Sequence, residues 1–297
     1  MNRLFYPITI FMLVESLLFL WSTPVNAQQN NNTEKSIKAG YAPINGIKMY
    51  YEIHGEGNIP LVLIHGGGST IETSFGNLLP LLSDYGKIIA VELQAHGRTS
   101  DRNAPETFEQ DADDVVALLK YLKIDSANIL GFSNGGTTTM QIAIRHPEIV
   151  NKIVVISANY KRVGLIAGFF EGMQPAKIDN MPQPLKSAFL KLTPDEGKLQ
   201  TMFEKDKNRM LNFKDYTDKD ISSIKADALL IVAQNDVITI EHTLQMAKLI
   251  PSAQLVVLPG NHGSFIGEAC TIEKNSQTPK ATAILITDFL KDKAKVH

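Results

Sequence analysis

The sequence predicts an α/β fold, a three-layer sandwich on a mostly parallel sheet with a helical insertion late in the chain. Three observations carry that expectation. Six short apolar runs, Leu61–Ile64, Ile88–Val91, Asn128–Leu130, Ile153–Ile156, Ala228–Ala233 and Leu255–Leu258, lack polar alternation, as strands buried on both faces require. Helical patterns separate them, which implies layers of helix on sheet. One interval, from about Tyr160 to Ile224, carries no strong strand pattern.

Taken in order, the chain opens with Arg3 and then Leu4–Trp21, apolar apart from Thr9, Glu15 and Ser16; Val25 and Ala27 stand three and one residues before Gln28. That layout predicts a secretory signal peptide over residues 1–27 and a periplasmic or secreted protein. The alternative is an uncleaved membrane anchor, because the stretch approaches the ~20 residues a bilayer needs. Glu15 and the small-residue exit favour cleavage, after which no stable membrane insertion is expected. Residues 28–39 read as a flexible spacer, polar and Asn-rich at first, and 40–297 as the folded domain. Asn45 and Gly46, between Tyr41 and Tyr50, mark a hairpin, so the sheet begins antiparallel. Thr107 and Gln110 stand at capping-box spacing, followed by Phe108, Ala112, Val115, Leu119 and Leu122 on one helical stripe. The helix after Ser133 should end at His146, ahead of Pro147. In the 160–224 interval, Leu165–Met173, Leu185–Leu192 and Leu199–Leu211 are amphipathic, either a lid or ordinary surface helices.

Composition excludes several classes of function. The 297 residues are 44% hydrophobic and 20% charged, ordinary for a globular chain. Lys and Arg total 29 against 31 Asp and Glu, so no basic surplus exists to drive nucleic-acid binding. The single cysteine, Cys270, excludes an internal disulfide and a thiolate zinc site; it lacks any nucleophile context and reads as a buried thiol. No two-histidine spacing with a nearby carboxylate suggests a metal, and no cofactor is expected.

The chemistry gathers at strand ends. Gly131-Phe132-Ser133-Asn134-Gly135 lies between a strand and a helix, where a nucleophile elbow needs near-absent side chains two residues either side of the serine. His65-Gly66-Gly67-Gly68 follows the Leu61–Ile64 strand, and its glycines let a backbone N–H of Gly67 join that of Asn134 as an oxyanion hole. A serine needs a base, and the base needs an orienting carboxylate. Asp236 follows the most apolar run and His262 the last one, which gives the order Ser133, Asp236, His262. Ser157-Ala158-Asn159 leaves no acid after the Ile153–Ile156 strand to compete for that role. His65 and His96 flank strand ends and read as structural; His54, His146 and His242 read as surface or helix-end residues.

On these motifs the chain resembles the α/β-hydrolase superfamily from about Tyr41 to Leu290. The resemblance is to the lid-bearing branch that includes enol-lactonases, carboxylesterases, carbon–carbon bond hydrolases and cofactor-free haloperoxidases. It implies that His65–Gly68 is the oxyanion loop, Gly131–Gly135 the elbow, Asp236 the acid and His262 the base. Glu92–Ser100 is similar to the loop after the fourth strand, with Ala95 in place of the usual glycine. Serine at the elbow separates the chain from branches with a carboxylate nucleophile. The expected function is an exported serine hydrolase acting on a small-molecule ester or lactone, with Phe169, Phe170 and Met173 of the lid lining the substrate pocket. The rivals are a carbon–carbon hydrolase or perhydrolase using the same residues, and a ligand-binding protein with slow turnover.

Overall fold

The computed structural model describes residues 37–271 and 275–292; the expected signal peptide lies outside them. The chain enters through β1 (Ile37–Ile44) and β2 (Ile47–His54), an antiparallel hairpin whose Asn45 and Gly46 take φ of 43° and 85°. Two successive positive φ values make the tight turn that matches strand twist, as Asn-Gly promised. Ile37, Lys38 and Ala39, expected in the spacer, instead pair with His54, Ile53 and Glu52 respectively as the start of β1.

Then come β3 (Leu61–Ile64), α1 (Ile71–Phe75), β4 (Ile88–Val91), α2 (Phe108–Tyr121), β5 (Ala127–Phe132), α3 (Asn134–Arg145) and β6 (Val150–Ile156). The insertion supplies α4 (Phe169–Met173), α5 (Gln183–Leu192), α6 (Glu196–Leu211) and α7 (Asp218–Ser222). The core resumes with β7 (Asp227–Asn235), α8 (Ile240–Leu249), β8 (Ala253–Asn261) and α9 (Thr278–Lys291). Thr107 caps α2 by accepting from the Gln110 N–H, and α3 stops at Arg145 with His146 as its cap.

One eight-stranded sheet runs β1-β2-β4-β3-β5-β6-β7-β8, parallel from β4 to β8 and antiparallel at the β1–β2–β4 end. Alternate strand residues feed two cores. Val62, Ile129, Val155 and Leu230 pack with Val115 and Leu119 of α2, Met140 of α3 and Met246 of α8. Leu63, Leu130, Val154 and Ile231 face the other way, toward Phe75 of α1 and Ile286 and Phe289 of α9. Two covered faces explain the unalternated apolar runs. The exception is β8, which is only half buried because it is the sheet's edge strand.

The insertion has a small core of its own, in which Met181, Leu185, Phe189, Leu199 and Met202 enclose Ala95. Leu165 also bridges to Ile238 just beyond β7, tying the insertion to the C-terminal edge of the sheet. The segment therefore sits over the strand ends where the chemical motifs converge.

Candidate active site

Ser133 occupies the sharp turn between β5 and α3 with φ 54° and ψ −121°, a conformation rare for a residue with a side chain. The turn closes so tightly that a Cβ on Gly131 would lie 2.0 Å from the Gly135 carbonyl oxygen. One on Gly135 would lie 2.1 Å from the Ile64 carbonyl oxygen. These contacts are the steric reason for glycine at both positions. Asn134 is the first residue of α3, so its N–H has no carbonyl one turn back to bond within the helix.

The structure brings Ser133, His262 and Asp236 together from three strand ends. His262 Nε2 lies 3.1 Å from Ser133 Oγ, and its Nδ1 lies 2.7 Å from Asp236 Oδ1. The Phe132 ring packs on the imidazole at 4.9 Å between centroids. Asp236 Oδ1 also accepts from the Ile238 N–H (3.2 Å), while Oδ2 accepts from Ser157 Oγ (2.5 Å) and the Ala233 N–H (3.2 Å). Burial pushes the Asp236 carboxyl upward, but the hydrogen bonds and charge of His262, then Ser157 and Ile238, hold it below its ordinary value. Ser157, which sequence reasoning saw only as the lack of an acid, is thus a ligand of the carboxylate.

Gly67, Asn134, Ser133 and His262 line one cavity of about 440 Å³. The insertion lines it with Leu165, Phe169, Met173, Met181 and Phe203, so two of the three aromatic or methionine residues singled out in the sequence, Phe169 and Met173, border this cavity. Phe170 does not. It packs edge-on against Phe169, and the Arg162 guanidinium lies over its ring at 3.5 Å. A larger cavity of about 970 Å³, between residues 101–109 and α6, contains none of the three central residues.

A charged cluster missed by sequence reasoning underlies this cavity. Asp206 of α6 takes the Gly68 N–H and a hydrogen bond from His96 Nε2 (2.9 Å) on Oδ2, and pairs with Arg209 through Oδ1. Arg209 continues to Asp111 of α2 at 2.5 Å. His96 offers Nδ1 to the Gln94 carbonyl at 2.8 Å, so both ring nitrogens face acceptors and the ring is an imidazolium. Burial works against that charge, yet the Asp206 carboxylate pushes the ring up to about 9. His65, whose ring lies 4.8 Å away, behaves oppositely: Nε2 accepts the Leu93 N–H while Nδ1 faces the Gly66 carbonyl. That requires a neutral ring, and burial followed by the charge of His96 pushes it down to about 3. Both histidines are structural, as expected.

Two sequence expectations fail here. His242 stands in the first turn of α8, a helix-end position, but is buried rather than on the surface: it stacks on Tyr160 at 4.6 Å and accepts the Tyr160 N–H, and burial pushes it down to about 4. Cys270, expected to be buried, is exposed; partial desolvation and the neighbouring Glu268 carboxylate push its thiol up to about 12, so it is a poor nucleophile. Ala95, the departure from glycine, takes φ 60°, a left-handed conformation costing a non-glycine residue about 1 kcal/mol. Among the described residues no cluster of histidine, cysteine and carboxylates could hold a metal ion, and no helix is long and apolar enough to cross a membrane.

A family model described as the alpha/beta hydrolase fold matches residues 59–186. Among curated relatives, a serine hydrolase of Homo sapiens is 34% identical over 131 residues, 42% of this chain and 44% of that protein. The chain spans about half the length, or less, of the curated relatives it matches. A solved meta-cleavage product hydrolase from Pseudomonas fluorescens aligns with a TM-score of 0.69 at 23% identity, covering 87% of this chain and 98% of that one. The enol-lactonase from Burkholderia xenovorans gives 0.66 at 22% identity, covering 85% and 100%. At such identities the likeness is one of fold, and it agrees with the sheet order and the β5–Ser133–α3 turn described above. The chain carries the α/β-hydrolase fold.

Proposed function

We propose that the protein is an exported serine hydrolase that cleaves a carboxylic ester or lactone. The observation that carries this reading is the hydrogen-bonded relay from Ser133 through His262 to Asp236, set at the mouth of an apolar cavity. In the proposed reaction His262 Nε2 takes the Ser133 proton as Oγ attacks the acyl carbon. Asp236 holds the ring with its proton on Nδ1 and stabilises the imidazolium as it forms. The N–H groups of Gly67 and Asn134 receive the developing oxyanion. The imidazolium then protonates the leaving oxygen, and water, activated by the same ring, releases the acid from the acyl-enzyme. Apolar walls from Leu165, Phe169, Met173 and Met181 favour an apolar acyl or alcohol portion.

Labelling with a fluorophosphonate tests the nucleophile: a single adduct is expected at Ser133, and an adduct elsewhere overturns the assignment. A parallel screen of p-nitrophenyl esters, lactones and diketones tests the substrate class. Turnover of diketones alone would favour carbon–carbon hydrolysis, and labelling without turnover of any of them a binding role. Export has its own test, because Trp21 is the chain's only tryptophan. The mature protein should show tyrosine emission only, and a full-length mass with tryptophan emission would refute cleavage after Ala27.

A further inference from the structure

We propose that Asp206 is a positioning residue of the oxyanion hole, a carboxylate delivered by α6 that fixes the Gly67–Gly68 loop against Asn134. The inference rests on the serine-hydrolase reading and adds a residue outside its triad.

The argument begins with the loop. Three consecutive glycines have no side chains with which to anchor themselves, and Gly68 takes a φ of +64°. The peptide that presents the Gly67 N–H must therefore be held by its neighbours. On one side the Gly66 N–H donates to Ser74 Oγ at 3.2 Å. On the other the Gly68 N–H donates to Asp206 Oδ2. The two bonds bracket Gly67, and only the second comes from the insertion. The same carboxylate reaches the other half of the hole, because Asn134 Nδ2 lies 3.4 Å from Asp206 Oδ1. Little slack remains between these groups: a Cβ on Gly67 would stand 2.4 Å from Asn134 Nδ2 and 3.1 Å from Asp206 Oδ2.

A carboxylate this close to a developing oxyanion would oppose catalysis if its charge were bare. It is not bare. Arg209 and the His96 imidazolium both pair with it, and Arg209 is itself tied to Asp111 of α2. Burial would raise the Asp206 carboxyl, but Arg209, His96 and the Gly68 N–H hold it far below the usual carboxylate range. The cluster thus provides a fixed acceptor for Gly68 with its charge locally neutralised. Asp206 also lines the cavity shared by Ser133 and His262, so its position is coupled to the reacting centre.

The test uses two substitutions in the full-length protein. Asp206→Asn keeps the shape and one acceptor but removes the charge that Arg209 and His96 hold in place. Asp206→Glu keeps the charge but moves it outward by one methylene. Displacement of the donors should lower kcat roughly tenfold to 10²-fold, with KM for a p-nitrophenyl ester changed less than about twofold. The rate of fluorophosphonate labelling at Ser133 should fall by the same factor in the folded fraction, as measured by thermal unfolding. A purely structural latch would behave differently: both variants would lose melting temperature while the folded molecules label at the wild-type rate, and that result overturns the proposal. If Asp206→Asn does not fold, Asp206→Glu decides between the same two outcomes. Absence of labelling in the wild-type protein overturns the serine-hydrolase reading and this inference with it. Normal wild-type labelling with unaffected variants overturns this inference alone.

Discussion

Replacing Asp236 by asparagine is the sharpest perturbation of the proposed relay, because its consequences can be worked out atom by atom. The carboxylate accepts four hydrogen bonds, two on each oxygen, and its side chain is fully buried. A carboxamide keeps one acceptor and turns the other into a donor. If the amide nitrogen takes the Oδ1 position, the Ile238 N–H loses its acceptor and His262 must present a bare Nδ1. The ring proton then sits on Nε2, facing Ser133, and no base remains. If the nitrogen takes the Oδ2 position, the Ser157 hydroxyl can turn to accept, but the Ala233 N–H is orphaned. The working tautomer survives there without the charge that stabilises the imidazolium.

Either way one buried N–H is lost, a cost of about 1–3 kcal/mol in stability. The rate loss comes from the charge or the tautomer. Opposite unit charges 2.7 Å apart interact by about 6 kcal/mol at an effective dielectric constant of about 20. At about 1.4 kcal/mol per decade that corresponds to roughly four decades of rate, and the wrong tautomer costs about as much. Asp236→Asn should therefore fold and lose roughly 10³–10⁴ in kcat/KM. The assay pairs ester hydrolysis and fluorophosphonate labelling with urea denaturation of the same sample. A folded Asp236→Asn protein within tenfold of the wild-type rate would refute the relay, since no other acid bonds His262 Nδ1 among the described residues.

Three further outcomes follow from single contacts. Gly135→Ala puts a methyl 2.1 Å from the Ile64 carbonyl oxygen and should cost about 3 kcal/mol or more; a loss under about 1 kcal/mol in urea denaturation would contradict the tight turn. Phe169→Ala should change the preference among acyl chain lengths while Phe170→Ala should not, because only Phe169 lines the cavity; equal shifts in a chain-length series would refute the distinction. Stability should also decline above neutral pH, because His96 titrates near 9 in the fold against about 6.5 unfolded. Its stabilisation is complete below about pH 6.5 and is lost as pH rises through 9. His65 and His242 act on the other limb: the unfolded chain takes up their protons below about pH 6.5 while the fold refuses them down to about 3 and 4. Burial holds the carboxyls of Glu106, Glu92 and Asp111 up at about 8, 7 and 6, which opposes the two histidines on the acid limb; melting temperatures across pH 7–10 therefore check the His96 limb, and His96→Gln should flatten it.

The parts of this protein that were legible in the sequence are those set by local chemistry. Asn45-Gly46 encodes its turn in two residues, and Thr107 caps α2 through a hydroxyl three positions from the N–H it accepts. Ser133, Asp236 and His262 could be picked out because a parallel sheet carries successive strand ends to one edge, so chain order stood in for proximity. Edge exposure could not be read the same way. Leu255–Leu258 looks as apolar as the central strands, and only the sheet order shows that β8 has one neighbour. Cys270 and His242 were misplaced for a related reason. Each was judged by residue type and flanks, whereas burial was decided by contacts such as the stacking of Tyr160, some 80 positions away, on His242.

Asp206 marks a different boundary, since the information was present but ran against the usual rule. The inward stripe of α6 is Leu199, Met202 and Asp206, followed by the adjacent pair Arg209 and Met210 three and four residues on, as one face of a helix requires. Two charged residues stand in that stripe where apolar ones would ordinarily continue it. Reading polarity alone assigns them to solvent, while reading phase assigns them to the interior, and the structure sides with phase. The reason is that α6 does not roof a purely apolar core. Its Asp206 meets the Gly67–Gly68 loop, where the Gly68 N–H needs an acceptor, and the nearby His96 ring is cationic. A charge at an inward helical phase is costly unless paired, so its presence there signals a polar partner across the interface. Here that partner is the edge of the cavity that Ser133 and His262 line.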